Sequence, residues 1–400
     1  MNSIQHVLVV GGGVAGPILA LFLKKAGIAA SVYEACTGPS EAGGGLGLAD
    51  NGMAVLQAAG VLERVQAVSV QTHEWAFENQ RGHVLACMPG ESKQNGPQPV
   101  MITRAALQQA VAEATLAEGI PMHYGKQLVA IEDTPGKPVV VHFADGSTAE
   151  GDLLVGADGI RSHVRQCILP DAPKPMYTGM LAPGGFSPCI DGANYGAGAK
   201  KRVHFLFGAN GFFGYIEVLT AKGPRTMWWS TAEAPLRSRE EMSRTTKADH
   251  QNQLLKLHGD WAQPVPRLIE TAEDILDIAI HDVPSLPCWS AGRTVLIGDA
   301  AHAVAPHSGQ GASMALEDAM LLAKLLRDFW GSDIREVFRA FEAERRPRTD
   351  RVIAMGRKNA RHKQNTTPIA YWIQQQMMRI FVPLVRRKRE TWLLDYKIDW

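Results

Sequence analysis

Cysteine is scarce in this 400-residue chain: Cys36, Cys87, Cys167, Cys189 and Cys288 are odd in number and never spaced as a C-x-x-C pair. That usage argues against a disulfide scaffold and a thiolate metal centre, and it fits a reducing cytoplasm. An excess of one charge is also missing. With 41 Lys and Arg against 40 Asp and Glu, nothing draws the whole molecule toward nucleic acid or into an anionic membrane, so a small molecule is the expected partner. Long uninterrupted apolar runs are absent as well. The uncharged stretch 7–23 is broken by four glycines and a proline, and no small-residue cleavage site follows it suitably. It is expected to be strand, turn and buried helix, not an export signal or a spanning segment. No zinc motif, no serine-nucleophile elbow and no second glycine fingerprint is present.

What is present is enough apolar sequence, 46%, to build two cores. Residues 7–10, a glycine turn, 17–26 and 30–33 read as a βαβ unit. Helices are expected at 51–59 and 104–118, a hairpin around Asp145-Gly146, and a buried strand at 153–155. From 173 to 284 the pattern changes to aromatic-rich strands at 203–207, 212–218 and 226–229 separated by glycines. A parallel-type strand returns at 294–297, followed by a helix at 311–329. The expected fold is therefore α/β. A Rossmann-like nucleotide-binding domain, residues 1–71, 98–172 and 285–366, is interleaved with an antiparallel-sheet substrate domain, residues 72–97 and 173–284, and a C-terminal helical segment occupies 367–400.

Three motifs carry chemistry. Gly11-Gly12-Gly13-Val14-Ala15-Gly16 satisfies G-x-G-x-x-G between a strand and a helix. Gly11 permits the tight turn, Gly13 lets a pyrophosphate approach the backbone, and Gly16 lets helix and strand pack closely, while the helix start offers free N–H groups to the phosphates. Glu34 ends the second strand, where a carboxylate can accept hydrogen bonds from an adenosine ribose. The second motif runs from Asp152 through Asp158, Gly159 and Arg161 to Ser162, and the third from Thr294 through Gly298 and Asp299 to His302. Each places an acid after a strand. NAD has no ribityl chain for Asp299 to bind, so the third motif favours FAD.

Together these motifs resemble the single-component flavoprotein aromatic hydroxylases of the para-hydroxybenzoate hydroxylase fold, a group that includes salicylate hydroxylase-like enzymes and tetracycline-inactivating monooxygenases. The resemblance runs from Val7 to Arg345-Arg346-Pro347 and is weakest between Pro173 and Pro284. It implies that Gly11, Gly13, Val14, Ala15, Gly16 and Glu34 hold the ADP portion of FAD, that Arg104 contacts the cofactor, and that Asp299 binds its ribityl chain. Asp158 belongs to a motif associated with both FAD and NAD(P)H. Pro306, Gly309, Gln310 and Gly311, with Ala312 following, match the P-x-x-G-Q-G that lies against the flavin ring. The chain departs from the family where Glu34 is followed by Ala35 and Cys36 without a basic residue, and where Leu48-Ala49-Asp50-Asn51 lacks the frequent proline.

The implied reaction uses NADH or NADPH to reduce FAD, adds oxygen at the flavin C4a, and transfers OH to an electron-rich carbon. FAD would carry the difficult chemistry. An aromatic or polycyclic substrate is suggested by Phe205, Phe207, Phe212, Phe213, Tyr215, Met227, Trp228 and Trp229. Strand side chains alternate, so about half of these face away from any pocket. His204, Phe213, Tyr215 and Trp228 are the candidate substrate contacts. An FAD-dependent epoxidase or reductase of the same fold and a non-catalytic flavin sensor remain alternatives, as do monomer and homodimer. The apolar stretch 369–385, ending in Arg386-Arg387-Lys388-Arg389, is expected to pack across the two domains, with a membrane-surface helix as the alternative.

Overall fold

The computed structural model describes residues 4–38, 43–90, 96–189, 200–329, 331, 333–361, 367–385 and 391–400. Its first sheet has six strands in the order Ser290–Ala291, Thr294–Leu296, Leu153–Gly156, His6–Val10, Ala29–Tyr33 and Met122–His123. All neighbours are parallel except the outermost pair, which forms a hairpin. Strand His6–Val10 lies in the middle, and helices shield the sheet, so its sequence is a continuous apolar run instead of an alternating one. Helix Ala15–Lys25 buries every residue from Ala15 to Leu23. It packs against helix Gly311–Asp328, joining segments about three hundred residues apart in sequence.

The hairpin around Asp145-Gly146 forms as expected between Val139–Phe143 and Thr148–Gly151. With Leu128–Asp133 it makes its own three-stranded antiparallel sheet.

The third sheet has nine strands. Asp274–Asp282, Met176–Ser187, Gly223–Glu233, Gly211–Thr220, Lys200–Gly208, Val70–Asn79, Val100–Thr103 and Gly45–Leu48 follow one another, and Val84–Pro89 pairs with Val70–Asn79. Every pair is antiparallel except Lys200–Gly208 with Val70–Asn79, which runs parallel. Gly45–Leu48 and Val100–Thr103 come from stretches assigned above to the nucleotide-binding domain, so the two parts exchange strands as well as chain segments.

Register determines which aromatic side chains share a face. His204 pairs with Tyr215, Leu206 with Phe213, and Tyr215 with Trp228, so these five occupy one face. Phe205 opposite Gly214, Phe207 opposite Phe212, and Trp229 opposite Gly214 occupy the other, together with Trp75 and Phe77. Helices Lys247–His258 and Val265–Glu270 seal the first face: Leu206, Phe213 and Trp228 pack on Leu254, Trp261, Val265 and Leu268.

At the C-terminus, helix Pro368–Val385 lies against the Val70–Asn79 and Val84–Pro89 hairpin of the nine-stranded sheet. The residues after it return to the first domain, where Trp400 packs 4.7 Å from Phe22 and Arg348 donates to the carbonyls of Trp392 and Leu393. The terminal segment as a whole thus joins the nine-stranded sheet to the helices beside the six-stranded one, while the helix itself rests on the nine-stranded sheet.

Candidate cofactor and substrate site

The glycines of the first motif do distinct jobs. Gly11 has a φ of +119°, and a Cβ there would lie 2.2 Å from the Ala157 carbonyl oxygen, so the turn tolerates no side chain. A Cβ at Gly16 would lie 2.1 Å from the Gly11 oxygen, whereas one at Gly13 would meet no atom within 4 Å. Gly11 and Gly16 therefore serve close backbone packing, and Gly13 opens outward, where a phosphate can approach. Glu34 stands just past strand Ala29–Tyr33. Its Oε2 accepts from the Gly12 N–H at 2.6 Å and its Oε1 from the Cys36 N–H at 2.9 Å. Two backbone donors thereby fix the carboxylate beside the glycine turn while leaving lone pairs for ribose hydroxyls.

Asp299 begins a short helix after strand Thr294–Leu296, at the carboxyl end of the parallel sheet. The preceding Gly298 has a φ of +58°, and a Cβ there would sit 3.1 Å from Ala315 Cβ and 3.6 Å from Ala15 Cβ, so this turn touches both helix starts. The Asp299 side chain is solvent-exposed yet densely surrounded by protein. That surrounding protein pushes its carboxyl pKa up, and the positive charges of His302 and Arg104 partly offset the effect. Arg104 is exposed at the head of helix Arg104–Ala117, whose start Thr103 caps through the Ala106 N–H at 3.2 Å. Its backbone N–H donates to the Gly44 carbonyl.

The segment Pro306–Ser308 is a 3-10 turn, Gly309 takes a left-handed φ of +64°, and Gly311 opens the long helix. A Cβ at Gly309 or Gly311 would meet nothing within 4 Å. Val14, Ala15, Pro306 and Ala312 stand in the same turns as these glycines. The Gln310 side chain points inward, its Oε1 accepting from Asn51 at 3.1 Å.

Asp158 acts locally. Its carboxylate accepts from Ser162 Oγ at 2.5 Å and from the N–H groups of His163 and Val164, capping helix His163–Ile168. Arg161 is exposed beside it.

Beneath the cradle lies a buried charge network that motif reading did not assemble. Asp318 accepts from the Gly298 N–H at 2.8 Å, from Arg345 Nε at 2.6 Å, and pairs with His302 Nε2 at 2.5 Å. Glu317 pairs with Arg345 and Arg348 and accepts from Asn51 at 2.6 Å. Burial alone would raise the Asp318 carboxyl, but His302 and Arg345 outweigh it and hold the pKa down at about 2. The network locks the Asp299 turn, the Gln310 turn and helix Ile334–Arg361 to one another. A buried pair broken by loss of one partner costs on the order of 3–5 kcal/mol. Its sequence signals were His302 and the Arg345-Arg346-Pro347 run, but partners 27 and 28 residues away show only in three dimensions.

On the substrate side, the expected contacts need correction. Phe213 and Trp228 are core residues: their rings stack at 5.5 Å, Trp228 Nε1 donates to Ser187 Oγ, and helices cover both. His204 and Tyr215 share that face, with their rings stacked at 4.3 Å and His204 Nδ1 2.7 Å from Glu78 Oε1. The opposite face meets the segment that follows Asp299. Met180 and Ile280 pack on Ala305, the residue before Pro306. On this face Trp75, Phe205 and Trp229 remain only partly buried, with Phe205 set edge-on to both indoles at 6.2 and 6.1 Å. Gly214 makes room for the Trp229 indole, because a Cβ there would lie 2.4 Å from the ring.

Gly13 and Glu34 follow the first two parallel strands and Asp299 follows Thr294–Leu296, with the positive charge of Arg104 acting on Asp299 and open backbone at Gly309 and Gly311. The carboxyl ends of its parallel strands are where an open α/β sheet binds its ligands, and this donor set fits FAD. Comparison with known proteins agrees. Residues 5–355 match the family described as FAD binding domain. The chain is 30% identical over 384 residues to the aurachin C monooxygenase/isomerase of Stigmatella aurantiaca, covering 95% of each chain. It is 31% identical over 365 residues to the salicylate hydroxylase of Pseudomonas putida, covering 86% of this chain and 82% of the relative. Among solved structures, HpxO of Klebsiella pneumoniae complexed with FAD and uric acid superposes with a TM-score of 0.80 at 25% identity, over 94% of this chain and 92% of HpxO.

Proposed function

This chain belongs to the FAD binding domain family, and from that premise we propose that it is an FAD-dependent monooxygenase that takes electrons from NADH or NADPH and hydroxylates an aromatic or polycyclic small molecule with O2. The observation that carries this reading is a juxtaposition. The segment that begins at Asp299 abuts, through Ala305–Met180, the sheet face that carries half-buried Trp75, Phe205 and Trp229. The salicylate hydroxylase relative and the neighbour bound to uric acid are named for planar ring compounds, which aromatic walls hold by stacking.

Bound FAD supplies the redox chemistry, accepting a hydride and activating oxygen. The chain supplies position and environment. Glu34 and the helix start after Gly13 would hold the ADP portion, and Asp299 and Arg104 the middle of the cofactor. The start of helix Gly311–Asp328 carries about half a positive charge, and the bare glycines before it allow the backbone to approach a ring edge. Trp75, Phe205 and Trp229 would orient a flat substrate and keep water from the reacting carbon. The scarcity of cysteine and the need for NAD(P)H support a cytoplasmic location.

The test is direct. Purified protein should be yellow, release intact FAD on denaturation, and oxidise NAD(P)H faster when a panel of phenols, indoles and heteroaromatic acids includes a substrate. The product should carry one atom from labelled dioxygen. Label arriving only from water, or FAD that no nicotinamide reduces, would overturn the reading.

A further inference from the structure

Helix Pro368–Val385 is amphipathic the wrong way round. Its polar side meets the protein: Tyr371 donates to the Phe207 carbonyl at 2.9 Å and Gln375 accepts from Asn79 at 3.0 Å. Its opposite side presents Ile369, Trp372, Ile373, Met377, Ile380 and Phe381, between 48% and 74% exposed. The spacing of these six places them along a single stripe. Contiguous exposed apolar patches of this kind mark interaction surfaces.

Charge identifies the partner. Residues 358–389 contain eight of the chain's 41 Lys and Arg and none of its 40 Asp and Glu, and Arg386-Arg387-Lys388-Arg389 directly follow the helix. The near-neutral balance of the whole protein conceals this segregation. A two-fold dimer through the stripe would bring two such basic segments together, which like-charge repulsion opposes. None of the described helices is long and apolar enough to cross a membrane. An apolar stripe containing a tryptophan, flanked by cations and too short to span, is the pattern of a helix lying in a bilayer surface.

We propose that helix Pro368–Val385 is a reversible docking element for anionic membrane surfaces, with its exposed stripe among the acyl chains and the flanking basic residues attracted to the lipid phosphates. The docked helix would lie parallel to the bilayer plane, holding the nine-stranded sheet at the lipid surface.

The test uses full-length protein and sedimentation with vesicles of phosphatidylcholine alone or with about 30% phosphatidylglycerol. Binding should favour the anionic vesicles at least tenfold, since each basic residue near such a surface is worth about fivefold in partition, and should weaken as salt rises from about 0.1 to 0.5 M. Trp372→Gln combined with Phe381→Gln should lower partition about tenfold or more and leave FAD content unchanged. Hydrogen exchange should slow across residues 369–381 on anionic vesicles. Equal binding to both vesicle types, or unaltered binding by the double variant, would overturn the proposal. So would a dimer seen by light scattering that the same substitutions dissolve, because the stripe would then join two copies. The readout involves no turnover, so it stands or falls separately from the hydroxylase reading.

Discussion

The two faces of the nine-stranded sheet carry similar residues and lead different lives. Phe213 and Trp228 on one face, and Phe205 and Trp229 on the other, come from the same group of strands at neighbouring positions. Two helices close over the first pair, which becomes core; the second pair shares its face with Met180, which packs on Ala305, and stays partly buried. Residue type therefore does not distinguish a pocket wall from a packing residue. What covers the face decides.

The comparison can be broken most forcefully on the sealed side. Phe213→Ala should cost about 3–5 kcal/mol of stability by opening a cavity, read from a denaturant midpoint, without selectively changing substrate KM in the folded fraction. A stability loss below that of Trp229→Ala would reverse the assignment of the faces.

A pH titration probes the same side. His258, 2.8 Å from Ser230 Oγ and packed edge-on against Phe213 and Trp261, is held down at about 4 by burial, against an ordinary value of 6.5. The unfolded chain binds this proton more readily, so the contribution to stability is full above pH 6.5 and is lost as pH falls toward 4. The loss reaches up to about 3 kcal/mol. His258→Gln should flatten that part of the profile; an unchanged slope would assign it to another group.

The open face has a function only if FAD lies beside it. Asp299→Ala should weaken FAD binding by about 1.5–3 kcal/mol, the value of hydrogen bonds to a charged group, in a fluorescence titration of the apoprotein. Identical affinity would remove Asp299 from the cofactor. Finally, Trp229→Ala should raise substrate KM about tenfold, or roughly 1.4 kcal/mol, while leaving FAD affinity unchanged. A KM that does not move would place the substrate elsewhere.

The glycine turns of the parallel sheet were more legible in the sequence than the faces of the antiparallel one, and the reason is physical. Backbone approaching backbone or phosphate demands glycine, as at Gly11 with its φ of +119°, and few other pressures keep a turn bare of side chains; an acid just past a strand end, as at Glu34, adds a second requirement. Aromatic residues on strands satisfy core and pocket equally, so the choice between Phe213 and Phe205 awaited the covering helices. Asp158 and Gln310 taught a related lesson: the motif located each turn, but the carboxylate of one caps a helix and the amide of the other faces Asn51. The Pro368–Val385 helix was visible as an apolar run, yet its inverted orientation was not, because periodicity defines a stripe without saying which way it points.

The interleaving of the two domains has a consequence for how the protein is made. Of the residues proposed to hold FAD, Gly13 and Glu34 come with the first strands and helix, but Asp299 and Gly311 only after strands 176–187, 200–208, 211–220, 223–233 and 274–282 have been synthesised. A ribosome delivers the chain from its N-terminus, and folding begins before synthesis ends. The central parallel strands must wait for Thr294–Leu296 to complete their side of the sheet. Capture of FAD by these residues would thus be a late event in the life of the nascent polypeptide. A chain truncated before Gly311 would retain the glycine fingerprint and still be unable to retain a flavin.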